Sequence, residues 1–192
     1  AAENYVAEQD AFFFAKLYKE LGLTGGHIIM LNPASSPYYE ETKRQAVKAL
    51  NTYPGGMQIG GGINAENAEE FLQAGASQVI VTSYVFKDGK ISYEHLEKLR
   101  KAVGAERLVL DLSCKKRGDL YYIVTDRWQK FTEVPVTLET LRELGGYCSE
   151  YLVHAVDAEG KARGIETELV KLLAEYAERP VTYAGGVGNF QD

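Results

Sequence analysis

Short apolar runs alternate along the chain with longer segments in which apolar residues recur at helical spacing. The short runs are rich in β-branched residues, which is typical of buried strands. Polar or glycine-rich connections separate the two kinds of segment. The pattern predicts strands at 27–31, 57–59, 79–82, 107–112, 151–156 and 181–184. It predicts helices at 8–21, 37–52, 64–75, 92–103, 137–145 and 164–178.

The predicted strands are apolar throughout, as in a parallel sheet that is covered by helices. Six β/α alternations without a linker indicate a single α/β domain over residues 1–192. An open doubly wound sheet and a (β/α)8 TIM barrel are both compatible with six strands. An eight-unit barrel usually has about 250 residues. We therefore expect about six of the eight β/α units, in a chain truncated at both ends with the first and last strands missing.

A glycine motif occurs twice, each time directly after a predicted strand. Residues 59–63 read Ile-Gly-Gly-Gly-Ile, and residues 183–187 read Tyr-Ala-Gly-Gly-Val. The same interval separates Gly61 from Gly185 and Gly62 from Gly186, which indicates an internal repeat and favours the barrel. Glycine lets backbone N–H groups approach an anion without a side chain in the way. The repeat predicts two phosphate sites for a small-molecule bis-phosphate, with tight strand-to-helix turns as the alternative.

Composition and charge narrow the functional classes. The chain has 192 residues, is 45% hydrophobic and carries a net charge of −6, so we expect no sequence-independent binding of nucleic acid. No apolar run is long enough to span a bilayer, and we expect no membrane partner. Cys114 and Cys148 form no CxxC motif, and no His cluster is present, so free thiols and no metal site are predicted. Without a visible signal peptide, we expect a cytoplasmic location. We also expect a monomer.

Asp111 is the strongest candidate for chemistry. It lies near the end of the predicted strand 107–112, and barrel enzymes carry their reactive side chains at the carboxyl ends of strands. A carboxylate in so apolar a run is costly to bury without a partner or a function, although capping of the next loop is the alternative. The repeat would place a second carboxylate before Ala1. Two carboxylates in different environments can act as acid and base.

Several weaker candidates are predicted near the same edge of the sheet. Thr82 and Ser83 end a strand, where their hydroxyls either join the first phosphate site or cap the backbone. A polar turn at 115–119 is expected to connect the strand before it to a hairpin strand at 121–124. His154 and Trp128 either contact the substrate, with the indole shielding or stacking on a heterocycle, or pack internally. The remaining candidates either bind substrate groups or are solvated: Asp157, Lys161, Lys115, Lys116 and Arg117.

Five segments together resemble one protein family. They are QIGGGIN at 58–64, VIVTS at 79–83, VLDLSC at 109–114, LVHAVDAEG at 152–160 and YAGGV at 183–187. The family is the phosphoribosylformimino-aminoimidazole carboxamide ribotide isomerase of histidine biosynthesis, in its eukaryotic form. The resemblance extends over the whole chain.

The resemblance implies a (β/α)8 barrel that converts the bis-phosphorylated aminoaldose ProFAR to the aminoketose PRFAR. The implied chemistry is an Amadori rearrangement without metal or organic cofactor, in which Asp111 is the general acid. The base would be an Asp on the first barrel strand, which the predicted strands do not include. Ala155 replaces a Thr that helps to position the acid in bacterial members. The implied phosphate-binding residues are Gly61, Gly62, Thr82, Ser83, Gly185 and Gly186.

Other functions remain compatible with the sequence. The cyclase subunit of imidazole glycerol phosphate synthase shares the barrel, the repeat and the two phosphate sites. A non-catalytic phosphosugar-binding barrel would keep the glycine turns without using Asp111 for chemistry, and a metabolic barrel could act on another phosphosugar. On the isomerase interpretation, we expect residues 1–192 alone to be inactive, because one carboxylate and part of the second phosphate site would be missing.

Overall fold

The computed structural model describes residues 7–161, 164–189 and 191–192. The strands are β1 (Gly26–Ile29), β2 (Met57–Gly60), β3 (Val79–Val81), β4 (Phe86–Lys87), β5 (Lys90–Ile91), β6 (Leu108–Asp111), β7 (Cys114–Arg117), β8 (Leu120–Thr125), β9 (Lys130–Pro135), β10 (Glu150–His154) and β11 (Val181–Ala184). The helices are α1 (Ala11–Glu20), α2 (Tyr39–Thr52), α3 (Ala68–Gln73), α4 (Tyr93–Val103), α5 (Leu138–Leu144) and α6 (Thr167–Ala174).

Six strands form one sheet in the order β1-β2-β3-β6-β10-β11. All neighbouring pairs in it are parallel, and a helix lies between successive sheet strands along the chain. A doubly wound sheet reverses its strand order at a switch point, whereas this order follows the chain throughout. The doubly wound alternative is therefore excluded, and the predicted α/β fold with a parallel sheet is confirmed.

The two faces of the sheet are buried in different ways. Leu110 of β6 belongs to a large apolar cluster between the sheet and the helices, together with Leu99 of α4. Val109 points to the opposite face, where it forms a small cluster with Ile80 and Leu152. Because water is excluded on both faces, consecutive positions of the central strands are apolar. This explains the continuous apolar runs of the sequence.

Side-chain caps set two of the predicted helix starts. Ser92 caps α4 and Thr137 caps α5, and each accepts a hydrogen bond from a backbone N–H three residues later. Asn64 was expected to start the next helix, but it caps a preceding turn by accepting a bond from the Asn67 N–H at 3.0 Å. Helix α3 itself begins only at Ala68.

The segment after β6 differs from the prediction. The expected polar turn at 115–119 is wrong, because Lys115, Lys116 and Arg117 lie in strand β7 and the turn covers only Gly118 and Asp119. Strands β7, β8 and β9 form a separate antiparallel sheet. Since β6 is already paired with β3 on one side and β10 on the other, no hairpin strand can join it. Strand β9 was not predicted.

Both cysteines are free, as predicted, and both are buried. Burial raises the pKa of the Cys114 thiol to about 12 and that of the Cys148 thiol to about 11. Such thiols stay protonated at neutral pH and are poor nucleophiles.

Over residues 7–161, 164–189 and 191–192, no helix combines the length and apolar character needed to cross a membrane. The same part of the chain contains no group of three or more His, Cys, Asp or Glu side chains arranged to hold a metal ion.

Truncation of Leu110 is expected to test the buried face of the sheet. Leu110 is fully buried, so Leu110→Ala leaves a cavity and should lower the free energy of unfolding by about 2–5 kcal/mol. Leu120→Ala is the matched control, because Leu120 is 43% exposed and should cost less than about 1 kcal/mol. Chemical denaturation of the full-length protein measures both, and equal losses would contradict the assignment of the core.

Candidate active site

The carboxyl ends of the parallel strands meet at one edge of the sheet. Thr82 follows β3, Asp111 ends β6 and His154 ends β10, on three neighbouring strands. The glycine pairs follow β2 and β11 at the same edge. The structure thus brings together the main residues that the sequence suggested. In parallel α/β proteins this edge is where ligands bind.

Both carboxylate oxygens of Asp111 are hydrogen bonded. Oδ1 accepts bonds from the backbone N–H and from the hydroxyl of Ser113, each at 2.8 Å. Oδ2 accepts a bond from the Thr82 hydroxyl at 3.0 Å. Thr82 and Asp111 stand side by side because Val81 pairs with Leu110 in the register of β3 and β6. The carboxyl group is therefore held in one orientation from two directions.

Burial raises the pKa of Asp111 above its usual value. The hydrogen bonds from Ser113 and Thr82 oppose this rise because they stabilise the ionised form, and a positive charge on His154 acts in the same sense. The net shift is upward. A carboxyl group with a raised pKa keeps its proton closer to neutral pH, which is what a general acid requires.

The two glycine turns have similar backbone φ angles. Gly61 and Gly62 have φ angles of 97° and 70°, and Gly185 and Gly186 have φ angles of 116° and 79°. Residues other than glycine rarely adopt this left-handed backbone region. At Gly61 an added Cβ would lie 2.1 Å from the Met30 carbonyl oxygen. At Gly185 it would lie 2.6 Å from the carbonyl oxygen of Ala155.

An equivalent backbone hydrogen bond precedes each turn. The Met30 N–H donates to the Gly60 carbonyl at 2.9 Å, and the Ala155 N–H donates to the Ala184 carbonyl at 2.8 Å. The first bond joins the end of β2 to the residue after β1, and the second joins the end of β11 to the residue after β10. The internal repeat is therefore present in the structure as well as in the sequence.

The first glycine turn offers free backbone donors. Within the described residues, the N–H groups of Gly61 and Gly62 donate to no backbone carbonyl or side chain. The Cβ position of Gly62 is surrounded by open space, with no atom within 4 Å. Ser83, which follows the next strand β3, is exposed at the same edge. These groups can contact an anion.

Thr82 has a different contact from the one that the sequence suggested. Its hydroxyl was expected either to join the first phosphate site or to cap the backbone, and in the structure it donates to Asp111. The reason is the register of β3 and β6, which places the Thr82 side chain beside the carboxylate. Ser113, which sequence reasoning did not select, supplies the other two bonds. Its position two residues after Asp111 was the available signal, since Ser side chains often bond to nearby polar groups.

His154 is partly buried at the end of β10, with 15% of its side chain exposed. Its Nε2 lies 3.0 Å from the carboxylate of Glu159, a partner that was not predicted. The Trp128 ring meets the imidazole edge-on, with the ring centroids 5.0 Å apart. His154 is thus a packed residue at the site rather than an isolated one.

The tip of the β8–β9 hairpin reaches across the strand ends. Asp126, Arg127 and Trp128 have φ angles of 52°, 55° and 68°, which is an unusual run for residues other than glycine. The Arg127 guanidinium donates to the carbonyl of Leu31, just after β1, at 3.0 Å. The hairpin tip therefore contacts the chain just after β1 through Arg127 and the end of β10 through Trp128. Arg127 was not among the predicted site residues.

The basic residues of β7 are engaged with aromatic rings. The Arg117 guanidinium lies over Tyr122 at 4.0 Å and near Phe131 at 5.1 Å. Lys116 lies over Tyr121 at 5.6 Å. These contacts place both cations on the antiparallel sheet, whereas Lys115 is half-buried next to them.

Asp157 contacts both Lys161 and strand β7. The Asp157 carboxylate accepts a bond from the backbone N–H of Lys116 at 3.2 Å. The Lys161 ammonium group donates to the backbone carbonyl of Asp157. The loop after β10 is thereby fastened to the antiparallel sheet. The position at which the repeat predicted a partner carboxylate is outside the described residues.

The sequence matches a known protein family. Residues 1–192 match the model of a family described as Histidine biosynthesis protein. The chain belongs to the histidine biosynthesis protein family. The resemblance inferred from the five sequence segments is confirmed.

Curated relatives within this family are named as phosphoribosyl imidazole-4-carboxamide isomerases. The chain is 49% identical over 189 residues to a protein of Medicago truncatula whose name includes the word chloroplastic. It is 43% identical over 192 residues to a Neurospora crassa protein and 39% identical over 195 residues to one of Saccharomyces cerevisiae. In each case 98% of the chain is covered. The chain spans 59% of the length of the plant relative and 72% of the fungal relatives. A cytoplasmic location stays a prediction.

The two glycines of the first turn are expected to differ in their tolerance of alanine. Gly62→Ala should cost roughly 1–2 kcal/mol of unfolding free energy, since only its left-handed backbone opposes a side chain. Gly61→Ala should cost at least about 2 kcal/mol more, because the new methyl group would collide with the Met30 carbonyl. Urea denaturation of the two full-length variants measures the difference, and equal costs would show that the close approach at Gly61 is absent.

Asp111→Asn is expected to change how stability depends on pH. A raised pKa means that the folded protein binds the proton more tightly than the unfolded chain. The stability from this group is therefore fully present below the ordinary carboxyl pKa and is lost as the pH rises through the raised value. The asparagine cannot ionise, so the variant should gain stability relative to the wild type as the pH rises from about 3 to 8.

The measurement is the free energy of unfolding of the full-length wild type and variant across this pH range. Asp119→Asn is the control, because Asp119 is exposed and its difference from the wild type should stay nearly flat. A difference that moves in favour of the wild type at high pH would mean that the pKa of Asp111 is lowered.

Proposed function

We propose that this chain provides the acid side of the active site of an isomerase that converts ProFAR to PRFAR. The observation that carries the proposal is the partly buried carboxyl group of Asp111, which has a raised pKa and shares the strand-end edge with two glycine turns of similar φ angles. The names of the relatives give the substrate class. The reaction is a proton-transfer isomerisation and needs neither a metal nor an organic cofactor.

The glycine turns are the proposed phosphate sites. Gly61 and Gly62, with the exposed hydroxyl of Ser83, would bind one phosphate of the substrate, and Gly185 and Gly186 would bind the other. Support comes from the free N–H groups of the first turn and from the matching backbone geometry of the second. Two sites on opposite parts of one sheet suit a substrate that has a phosphate at each end.

Asp111 is the proposed general acid. It would give its proton to the ribose ring oxygen of the aminoaldose, so that the C1′–oxygen bond breaks and a protonated Schiff base forms at C1′. A base would then remove the proton from C2′, and the resulting enolamine would become the ketose by proton transfer. In the family pattern this base is an Asp on the first barrel strand, and we assign it there.

The remaining candidate residues have supporting roles in the proposal. Trp128, at the tip of the hairpin that crosses the strand ends, would shield the heterocycle of the substrate. His154 would pack against Trp128 beside the acid, and Thr82 would hold Oδ2 of the carboxyl group. Arg117, Lys115 and Asp157 would stabilise the antiparallel sheet from which the hairpin extends.

We also propose that the six parallel strands belong to an eight-stranded barrel, as second to seventh strands in the family pattern. The strand order follows the chain, as a barrel requires, and the helices pack on one face only. At the edge strand β1, Ile29 is 46% exposed, which is unusual for an apolar strand residue in a covered sheet. Barrel closure would cover this side chain.

Asp111→Asn tests the proposed function. The full-length variant should lose about 10²- to 10⁴-fold in turnover of ProFAR, because it cannot donate a proton from this position. Binding of ProFAR, measured by calorimetry, should persist, since the phosphate sites are unchanged. Asp119→Asn should keep full turnover.

The wild-type protein separates the alternatives in the same assay, in which aldose and ketose are resolved by chromatography. Binding of ProFAR without conversion would support a non-catalytic phosphosugar-binding barrel. Consumption of PRFAR with ammonia would support the cyclase instead. Undiminished turnover in Asp111→Asn would remove Asp111 from the acid role.

A further inference from the structure

We propose that Ser113 is the positioning residue of the acid: it fixes Oδ1 of Asp111, so that the transferable proton resides on Oδ2. The kinetic part of this inference rests on the proposed function, whereas its structural part does not. Ser113 contacts Asp111 and no substrate group is assigned to it, so its role is indirect.

The contacts on the carboxyl group are unequal. Ser113 donates two hydrogen bonds to Oδ1, from its backbone N–H and from its hydroxyl, each at 2.8 Å. An oxygen that already accepts two bonds is a poor site for a proton, because a bound proton would face two donors. Oδ2 has one contact, the Thr82 hydroxyl at 3.0 Å, and a hydroxyl can also accept a bond. The neutral carboxyl group is therefore most stable with its proton on Oδ2.

Ser113 itself is fixed by the backbone on both sides. It is 1% exposed, and its carbonyl accepts a bond from the Val124 N–H of β8 at 2.8 Å. The preceding residue, Leu112, donates its N–H to the Leu152 carbonyl of β10 at 2.8 Å. The segment from Asp111 to Ser113 thus bridges the parallel sheet and the strand that leads to the hairpin tip. A rigid donor loses little conformational entropy when it orients the carboxyl group.

On the β10 side of Asp111, the residue that follows the neighbouring strand has no hydroxyl group to donate to the carboxylate. The residue there is Ala155, which is buried and packed against Gly185. The other charged or titratable groups that act on Asp111 are His154 at the end of β10 and the Cys114 thiol at the start of β7. Neither forms a hydrogen bond with the carboxyl group in the described residues. Ser113 and Thr82 are therefore the groups that can orient it.

The direction of the pH effect distinguishes positioning from a merely structural role. The Ser113 bonds stabilise the ionised form of Asp111, so loss of the hydroxyl should raise the pKa of Asp111 further. A general acid works only while protonated, and the rate falls as the pH rises through its pKa. The descending limb of the pH profile should therefore move to higher pH in Ser113→Ala, although the maximal rate falls.

The experiment compares Ser113→Ala with the wild type in the full-length protein. We expect kcat to fall roughly ten- to hundredfold, as for loss of one hydrogen bond to a charged group, with KM changed by less than about threefold. Ser77→Ala is the matched control: Ser77 donates a hydroxyl bond to the Met57 carbonyl at 3.0 Å, near the amino-terminal ends of the strands. It should affect stability without changing kcat or the pH profile.

A double variant adds a second measurement. In an Asp111→Asn background, Ser113→Ala should lower kcat by less than about threefold, because its effect operates through the acid. Equal losses with and without Asp111 would overturn the proposal, as would an unchanged kcat or an unmoved descending limb in the single variant.

A titration without substrate separates this inference from the proposed function. The Asp111 carboxyl carbon, followed by 13C NMR, should titrate at higher pH in Ser113→Ala than in the wild type, and at the wild-type value in Ser77→Ala. If the wild type shows no isomerisation, the proposed function fails while this titration still tests Ser113. An unchanged or lowered pKa in Ser113→Ala would refute the positioning role.

Discussion

Parallel pairing of six strands in chain order is the constraint on which the site depends. Because the paired strands run in one direction, their carboxyl ends lie at one edge, and residues distant in sequence become neighbours there. Thr82 and Asp111 share a hydrogen bond because Val81 stands opposite Leu110 in the register. The same pairing occupies both sides of β6, so the chain that follows has to form its own antiparallel sheet. The hairpin above the site is thus a consequence of the sheet beneath it.

The glycine turns combine packing with an opening for a ligand, and the two contributions can be separated. Gly61 and Gly185 are required by packing, since a side chain at either position would collide with the end of the adjacent strand. These two glycines would be needed even in a protein without a ligand. Gly62 faces open space and its N–H has no acceptor among the described residues. Gly62 therefore supports an anion site more directly than the repeated pair as a whole does.

The sequence was most informative where a single local interaction decides the structure. The strand at 181–184 was predicted correctly, because an apolar run acts over a few residues. The helix starts at Ser92 and Thr137 were also predicted, and in the structure both side chains cap their helices. Strand β9 was missed because it forms by pairing with β8. That antiparallel pairing arises because β6 is already paired on both sides and cannot accept another strand. The contact of Thr82 with Asp111 was also missed, since it depends on register between strands. The position of Asp111 could be predicted, but the residues that hold it, Ser113 above all, required the fold.

The environment of Asp111 balances two opposing requirements. Burial without hydrogen bonds would keep the carboxyl group protonated but would leave it free to rotate and would destabilise any ionised state that follows proton transfer. More donors would orient it further but would lower its pKa and remove the proton at neutral pH. Two donors on Oδ1 and one reversible hydroxyl on Oδ2 lie between these limits. The bonds orient the group and stabilise its ionised form, while burial keeps the pKa raised. Both properties suit the proton donor that we propose for Asp111.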